Sequence, residues 1–209
     1  MKRSLLFAVL IAIISSPVCF GGSILTTGLP IGAEKLAVQG YYDSNSVAGN
    51  SASQFGPKII YGLTSDIDVM AKLGMGSFAG VSASSYGFGG KYTFLRVEEK
   101  DPMDVAGYIN YETFSVTGYS FSTTSFGAIM SKYLRTNFTL YGILGVVSAG
   151  YSYKDAAGKT VSLSSSALQF GIGAKYDIRK GISFLGELTT FSADGNAYTT
   201  FSLGAQFMI

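Results

Sequence analysis

Few side chains in this sequence could do chemistry, because it has no histidine and a single cysteine, Cys19. The lack of histidine excludes a Ser-His-Asp triad and imidazole metal ligands. The glycines of GFGGKY (87–92) alternate as in a strand, with no helix after them, so this stretch is not a nucleotide-binding loop. Asp43 and Asp194 could form a carboxylate pair, but no motif surrounds either one. We therefore predict no catalytic residue, no cofactor and no metal, and a protein that is not an enzyme.

The remaining candidates are the charged residues, which make up 13% of the 209 residues, about half the share of an ordinary globular domain. The 47% hydrophobic and 14% aromatic content argues against disorder. Most of the chain alternates apolar and polar residues in steps of two, which is typical of β-strands. An all-β chain of about ten strands is predicted, or eight if the fifth and sixth are miscounted; the strands are at 35–43, 54–63, 66–76, 85–95, 104–114, 124–134, 137–148, 166–178, 181–191 and 199–209.

The two faces of these strands differ in composition. One face is apolar or aromatic in every strand and carries no charge, whereas the other combines Gly, Ser, Thr and Tyr with charges of both signs. A soluble barrel of the lipocalin type would place a charged face in water, but this polar face is glycine-rich and sparsely charged, which suits a crowded interior. We therefore predict a closed antiparallel transmembrane β-barrel with lipid outside and a lumen lined by Lys58, Lys72, Lys91, Lys132, Lys175, Asp68, Asp104, Glu112, Asp177 and Glu187.

The N-terminus has the pattern of a secretory signal peptide. Lys2 and Arg3 precede the apolar run 5–14 and then small residues, with cleavage expected after Gly21 or Gly22. Removing residues 1–21 lowers Lys plus Arg from 15 to 13, which equals the 13 acidic residues. The remaining chain is formally neutral, so its net charge gives no indication of nucleic-acid binding. The predicted division is a signal peptide (1–21), a short periplasmic N-terminal segment (22–33) and the barrel (34–209).

Connection lengths give the expected orientation. Outer-membrane barrels have short periplasmic turns and longer outer loops. The connections at 63–66, 134–136 and 179–181 are short, 97–103 is an exception, and those at 43–53, 77–85 and 148–165 are longer. Both termini are therefore predicted in the periplasm.

Three stretches carry a resemblance to a known family. The unit YGLTSDIDVMAKLGMG, the stretch GFGGKYTFL and the final strand TTFSLGAQFMI resemble the small outer-membrane β-barrel proteins of Gram-negative bacteria, of the porin-like or opacity type. The resemblance implies residence among outer-membrane lipids and insertion by the barrel-assembly machinery. It also implies that this machinery reads the last strand, whose outward row is Phe201, Leu203, Ala205, Phe207 and Ile209. It implies no particular oligomeric state.

The predicted function depends on the lumen. In small barrels the interior is just wide enough for side chains or one small ligand. Charges of both signs inside could line a thin aqueous path and set its selectivity, or they could pair across a filled lumen. Passage of small solutes through a narrow charged lumen is the leading expectation. A filled structural or surface-interaction barrel is the alternative, and an outer-membrane enzyme comes third.

Overall fold

A computed structural model describes residues 23–47, 50–78, 80–97, 103–116, 119–154, 160–193 and 196–209. The ten strands form one antiparallel sheet in which each strand pairs with its neighbours along the chain, and β1 pairs with β10 to close a barrel. The predicted fold class and the count of ten are therefore confirmed. The strands are β1 (Leu36–Val47), β2 (Asn50–Gly62), β3 (Ile67–Phe78), β4 (Val81–Leu95), β5 (Asp104–Val116), β6 (Tyr119–Arg135), β7 (Phe138–Lys154), β8 (Thr160–Arg179), β9 (Ile182–Ala193) and β10 (Asn196–Met208).

The outer surface of the barrel is a continuous apolar belt. Leu73, Phe88 and Ile172, from three different strands, are about 60% exposed, at 62%, 60% and 60%. Soluble monomers rarely expose apolar patches larger than a few hundred Å². A belt contributed by every strand and bordered at one edge by exposed tyrosines such as Tyr92 and Tyr176 is a surface for lipid.

The two ends of the barrel differ. Tight connections at 63–66, 136–137 and 180–181 lie at one end, here called the short-turn end, where Ala37 also pairs with Met208 near the C-terminus. At the opposite end, the long-hairpin end, much of the sequence predicted as loop is strand. The stretches 43–53 and 148–165 belong mostly to the hairpins β1–β2 and β7–β8, and pairing continues as far as Lys154 with Thr160. The sequence of these extensions is rich in Ser, Gly and Asn and has no regular alternation that predicts a strand, but their backbones still pair.

Strand β6 corrects one part of the predicted pattern. Alternation over 124–134 predicts Ile129 on the lipid face and Lys132 in the lumen, but in the structure Ile129 is fully buried inside the barrel and Lys132 is exposed. The register agrees, because Lys132 lies opposite Leu140, which points outward. Lys132 is therefore not a lumen-lining charge. The sequence 128–130 (Ala-Ile-Met) is apolar on both faces, so alternation alone does not fix its phase.

The lumen at the long-hairpin end is closed by apolar side chains. Nine buried residues form one cluster there: Ala52, Phe78, Phe114, Phe121, Val147, Ala149, Ala167, Phe191 and Tyr198. The ring centroid of Phe121 is 6.2 Å from that of Phe78 and 6.4 Å from that of Phe114, and Phe191 stacks on Tyr198 at 4.9 Å. We call this set the apolar cap. It separates the polar middle of the lumen from the long-hairpin end.

The lipid-facing assignment predicts a position-dependent cost of charge. Leu73 lies six residues beyond Ile67, the start of β3, near the middle of the belt. We expect Leu73→Arg to lower the free energy of unfolding by about 2–4 kcal/mol, because arginine would sit at the bilayer midplane. Urea unfolding of the protein in phospholipid vesicles measures this value.

The matched control is Leu63→Arg, in the short turn at the rim, which should cost about 0–1 kcal/mol. Equal costs at the two positions would contradict the placement of the lipid belt.

Candidate functional site in the lumen

The chain fills the lumen with its own residues. Residues 23–31, here called the lumen segment, lie inside the barrel, and Ile24 and Leu25 are 0% and 1% exposed. From Ser23 at mid-height the segment descends to the short-turn end, where Glu34 donates its N–H to the carbonyl of Gly62 (2.8 Å) and β1 begins. Part of the segment 22–33 that was expected in the periplasm thus lies within the barrel.

The lower half of the lumen segment is held by Lys91 and Asp68. The Lys91 ammonium donates to the carbonyls of Thr27 (2.7 Å) and Leu29 and lies 3.1 Å from the carboxylate of Asp68. That carboxylate also accepts the N–H of Ile31 at 3.3 Å. A buried ion pair is expensive unless further hydrogen bonds satisfy its remaining atoms, and the segment backbone supplies them here.

Gly28 is bound from two sides in the same half. Its N–H donates to the hydroxyl of Ser131 (2.6 Å), and its carbonyl accepts from Thr93 (2.7 Å). An extended segment has no hydrogen bonds of its own, so these side chains replace the partners that a sheet would provide.

The upper half of the segment is organised by Glu187. Its two carboxylate oxygens accept the N–H groups of Ile24 (2.9 Å) and Leu25 (2.8 Å), and one of them also accepts the hydroxyl of Tyr141 at 3.1 Å. The Lys58 ammonium donates to the carbonyl of Ile24. Glu187 therefore binds backbone donors in a position that is 2% exposed.

The tip of the segment reaches a second polar cluster. Ser23 donates its hydroxyl to Asp43 (2.6 Å), and Gln54 donates its amide to both Asp43 and Glu112 at 2.9 Å. Lys72 lies between the same carboxylates, 2.8 Å from Glu112 and 3.6 Å from Asp43. We call Asp43, Gln54, Lys72 and Glu112 the upper polar cluster.

Apolar side chains of the segment pack into matching places in the wall. Ile24 packs with Tyr108, Ile129, Tyr141 and Ile143, whereas Leu25 packs with Tyr41 and Leu185. The inward position of Ile129 now has a reason, because it covers Ile24.

The inward tyrosines reach their partners across glycines. Tyr141 on β7, Gly173 on β8 and Glu187 on β9 are successive partners in register, and Tyr141 crosses Gly173 to reach Glu187. A Cβ atom on Gly173 would lie 2.2 Å from Cζ of Tyr141. The glycine is therefore required by the close approach of the ring. Tyr108 likewise lies over Gly145, where an added Cβ would be 2.4 Å from its hydroxyl oxygen.

A cavity of about 20 Å³, enough for one water-sized group, adjoins Ser23 and is lined among others by Lys58, Lys72, Glu112, Thr123 and Ser125. The buried residues Ser23, Ile24 and Leu25 of the lumen segment occupy the lumen at mid-height.

The structure places most of the predicted lumen charges inside. Seven of the ten point into the lumen: Lys58, Lys72, Lys91, Asp68, Asp104, Glu112 and Glu187. Lys175 and Asp177 form a partly exposed pair with 3.0 Å between Nζ and Oδ1 near the short-turn end, and Lys132 lies outside.

Sequence reasoning missed Asp43 and the lumen segment itself as parts of the lumen. It placed Gln54 in the polar row of the second strand but did not include it among the candidate site residues. Asp43 continues the inward row of Gln39 and Tyr41 along β1, which was the available signal for its place in the lumen. The predicted assembly residues do form the outward row of β10, where Phe201, Leu203, Phe207 and Ile209 are exposed.

Across the part of the chain that the structure describes, no group of three or more His, Cys, Asp and Glu side chains could hold a metal ion. The same residues include no helix long and apolar enough to cross a membrane.

An even number of antiparallel strands closed into a barrel and an apolar belt on its outer surface define an outer-membrane-type β-barrel. No protein-family profile matches the chain, and no curated protein matches it in sequence.

Solved barrels resemble it in structure. The N-terminal β-barrel domain of Pseudomonas aeruginosa OprF has 13% identity, with 85% of this chain and 99% of that one covered and a TM-score of 0.44. Ail, the attachment invasion locus protein of Yersinia pestis, solved with the heparin analogue sucrose octasulfate, has 17% identity, 86% and 100% coverage and a TM-score of 0.44. The KdgM porin, solved with oligogalacturonate, has 6% identity, 82% and 98% coverage and a TM-score of 0.43. These identities are too low to carry a function to this chain.

Glu187 provides a test of the filled lumen. In Glu187→Gln the amide group would place a donor against one of the two backbone N–H groups that the carboxylate now accepts. We expect the free energy of unfolding to fall by about 1.5–3 kcal/mol, the value of a hydrogen bond to a charged group, as measured by urea titration in vesicles.

Glu34→Gln is the control, because Glu34 is exposed at the barrel entrance and its change should stay within about 0.5 kcal/mol. A Glu187→Gln variant as stable as the control would mean that water, not protein, surrounds Glu187.

The tyrosine–glycine contact provides a second test. Gly173→Ala should destabilise the barrel by about 1–3 kcal/mol, because the new methyl group displaces the Tyr141 ring from Glu187. Gly142→Ala, where the nearest atom is 3.9 Å away, should be nearly neutral.

A double-mutant cycle isolates the contact. In a Tyr141→Ala background, Gly173→Ala should lose most of its cost. If Gly173→Ala lowers the free energy of unfolding equally with and without the Tyr141 ring, the contact with that ring is not the reason that position 173 requires glycine.

Proposed function

We propose that this protein is a closed outer-membrane barrel that works as a structural element of the envelope or through its projecting hairpins, and that it is not a resting conduit for solutes. The observation that carries the proposal is the lumen segment, which occupies the interior and is bound by Lys58, Lys91 and Glu187. The apolar cap provides a second closure above it.

The lengths of the strands support work at the long-hairpin end. A membrane-crossing β-strand needs about 9–11 residues. Strands β6, β7 and β8 have 17, 17 and 20 residues, against 12 in β1. The surplus of six or more residues extends the β6–β8 sheet about 20 Å along the strand direction beyond what the bilayer requires.

We also propose that both termini face the periplasm and that the barrel-assembly machinery inserts the chain by reading β10. The pairing of β1 with β10 and the location of both ends at the short turns support this orientation. The outward row on β10 is apolar up to Ile209. A catalytic role is not part of the proposal, because the chain has no histidine.

Passage of small solutes is the second candidate. One observation favours it: among the described residues, the hydrogen bonds between the lumen segment and the barrel wall use side chains of the wall, not a backbone ladder. A segment held in this way could leave as a unit and expose a lumen lined with charges.

Conductance in planar bilayers separates the two candidates. We expect the protein to give no conductance steps, because the lumen segment and the apolar cap each close the path. A variant lacking residues 23–31 should stay silent, as should Phe114→Ser with Phe121→Ser, whereas the combined variant should conduct.

Steps from the unaltered protein, or from the variant lacking 23–31 alone, would instead support passage. Heat-modifiable migration on a gel confirms that each variant is a folded barrel before it is measured.

A further inference from the structure

The barrel wall binds the lumen segment mainly through its main chain. Among the described residues, side chains of the wall bond to four N–H groups and five carbonyl groups of the segment, but to only two of its side chains, those of Ser23 and Thr26. The wall residues that bind the main chain are Gln39, Lys58, Asp68, Lys91, Thr93, Ser131 and Glu187. Main-chain N–H and carbonyl groups occur in every polypeptide, so this arrangement fits an extended polypeptide in general.

Two further features of the wall make it selective for sequence. Ile24 and Leu25 pack into two separate apolar clusters of the wall. At Gly28 an added Cβ atom would lie 3.0 Å from the carbonyl oxygen of Asp104 and 3.1 Å from that of Ile129. These backbone oxygens belong to paired strands and cannot move aside as a flexible side chain could. The wall therefore favours two adjacent apolar residues with a glycine three positions after the second.

The segment is bound in a strained backbone conformation. Leu25 inside the lumen and Glu34 at the entrance have φ angles of 39° and 59°, in the left-handed region that residues with a Cβ atom rarely adopt. Residues held in this way are typical of ligand clamps and switch regions. The strain at Leu25 is relieved when the segment leaves, which favours exchange of the segment for another ligand.

The site that the segment leaves behind opens toward one end of the barrel. The apolar cap belongs to the strands and not to the segment, so it still closes the lumen at the long-hairpin end. Another molecule therefore reaches Lys58, Lys91 and Glu187 from the short-turn end, where the segment itself enters.

We propose that the lumen, once its own segment is displaced, is a binding site for an extended stretch of another polypeptide with this pattern of two apolar residues and a glycine. The lumen segment is the intramolecular competitor for the same site. The direction of entry rests on the proposed closed barrel, which the conductance recordings test, whereas the binding of a polypeptide is measured separately.

The first test empties the site without changing the wall. In the full-length variant Gly28→Leu, the new side chain cannot fit between the strands, so the segment leaves the lumen. The probe is a fluorescently labelled synthetic peptide, SILTTGLPI, identical to residues 23–31. By fluorescence polarisation in detergent, we expect the variant to bind this peptide at least tenfold more tightly than the unaltered protein, whose own segment occupies the site.

A second variant, Ile24→Asp with Leu25→Asp, empties the site by placing charges against the apolar clusters, and it replaces Gly28→Leu if that variant does not fold. Heat-modifiable migration on a gel identifies the folded variants. A folded variant that binds the peptide no more tightly than the unaltered protein would overturn the proposal.

A matched peptide tests the selectivity. The same peptide with the Gly28→Leu change should bind at least tenfold more weakly, because its leucine meets the same backbone oxygens. Equal binding of the two peptides would mean that the detergent or the outer surface holds them, and would contradict the proposal.

A pair of wall variants, made in the Gly28→Leu background, locates the binding. Glu187→Gln should weaken peptide binding about tenfold or more, because this carboxylate accepts two main-chain N–H groups. Asp177→Asn, near the short-turn end, should leave the affinity unchanged. Equal effects of the two changes would place the peptide outside the lumen and overturn the assignment.

Discussion

The structure depends on one constraint, which is that polar groups enclosed in the lumen lose water and must be paired by other protein groups. Glu187 is buried on β9, and it accepts hydrogen bonds from the backbone of Ile24 and Leu25 and from the hydroxyl of Tyr141. The same constraint applies to the segment, because an extended backbone has no internal partners. The wall charges and the segment backbone therefore satisfy each other, and neither arrangement is complete alone.

Apolar side chains pack above and below these contacts. The apolar cap closes one end, and Ile31 and Met208 pack with Ala37, Ile60 and Met70 at the other. Between these layers, Tyr141 crosses Gly173 on the next strand and Tyr108 reaches Gly145 two strands away, so one ring spans two or three strands. The polar contacts act in a low dielectric, so each one has more effect on stability than it would in water.

This arrangement changes which part of the barrel is available for function. The outer surface faces lipid and the lumen holds the chain's own segment. The two ends of the barrel are therefore the surfaces left for contact with other molecules. The long β6–β8 hairpins are the largest structure outside the belt, and they project from the end that the apolar cap closes. The barrel with its filled interior is therefore a rigid base for these hairpins.

The sequence by itself determined nine of the ten strand phases and the lipid face, and it predicted about ten strands with eight as the alternative, because alternation in steps of two is a local property that each strand carries alone. It placed Lys58, Lys72, Lys91 and Glu187 inside for the same reason. It did not determine the phase of β6, where Ala128, Ile129 and Met130 are all apolar and the choice was made by register with β7.

Only the tertiary structure decided where residues 23–31 lie. The stretch SILTTGLPI reads as a linker, since nothing within it specifies a partner. Its partners are residues such as Lys91 and Glu187, 64 and 163 positions away from the atoms they bind. They meet only when β10 closes on β1, because closure brings side chains from all strands around one axis and leaves them polar groups to satisfy.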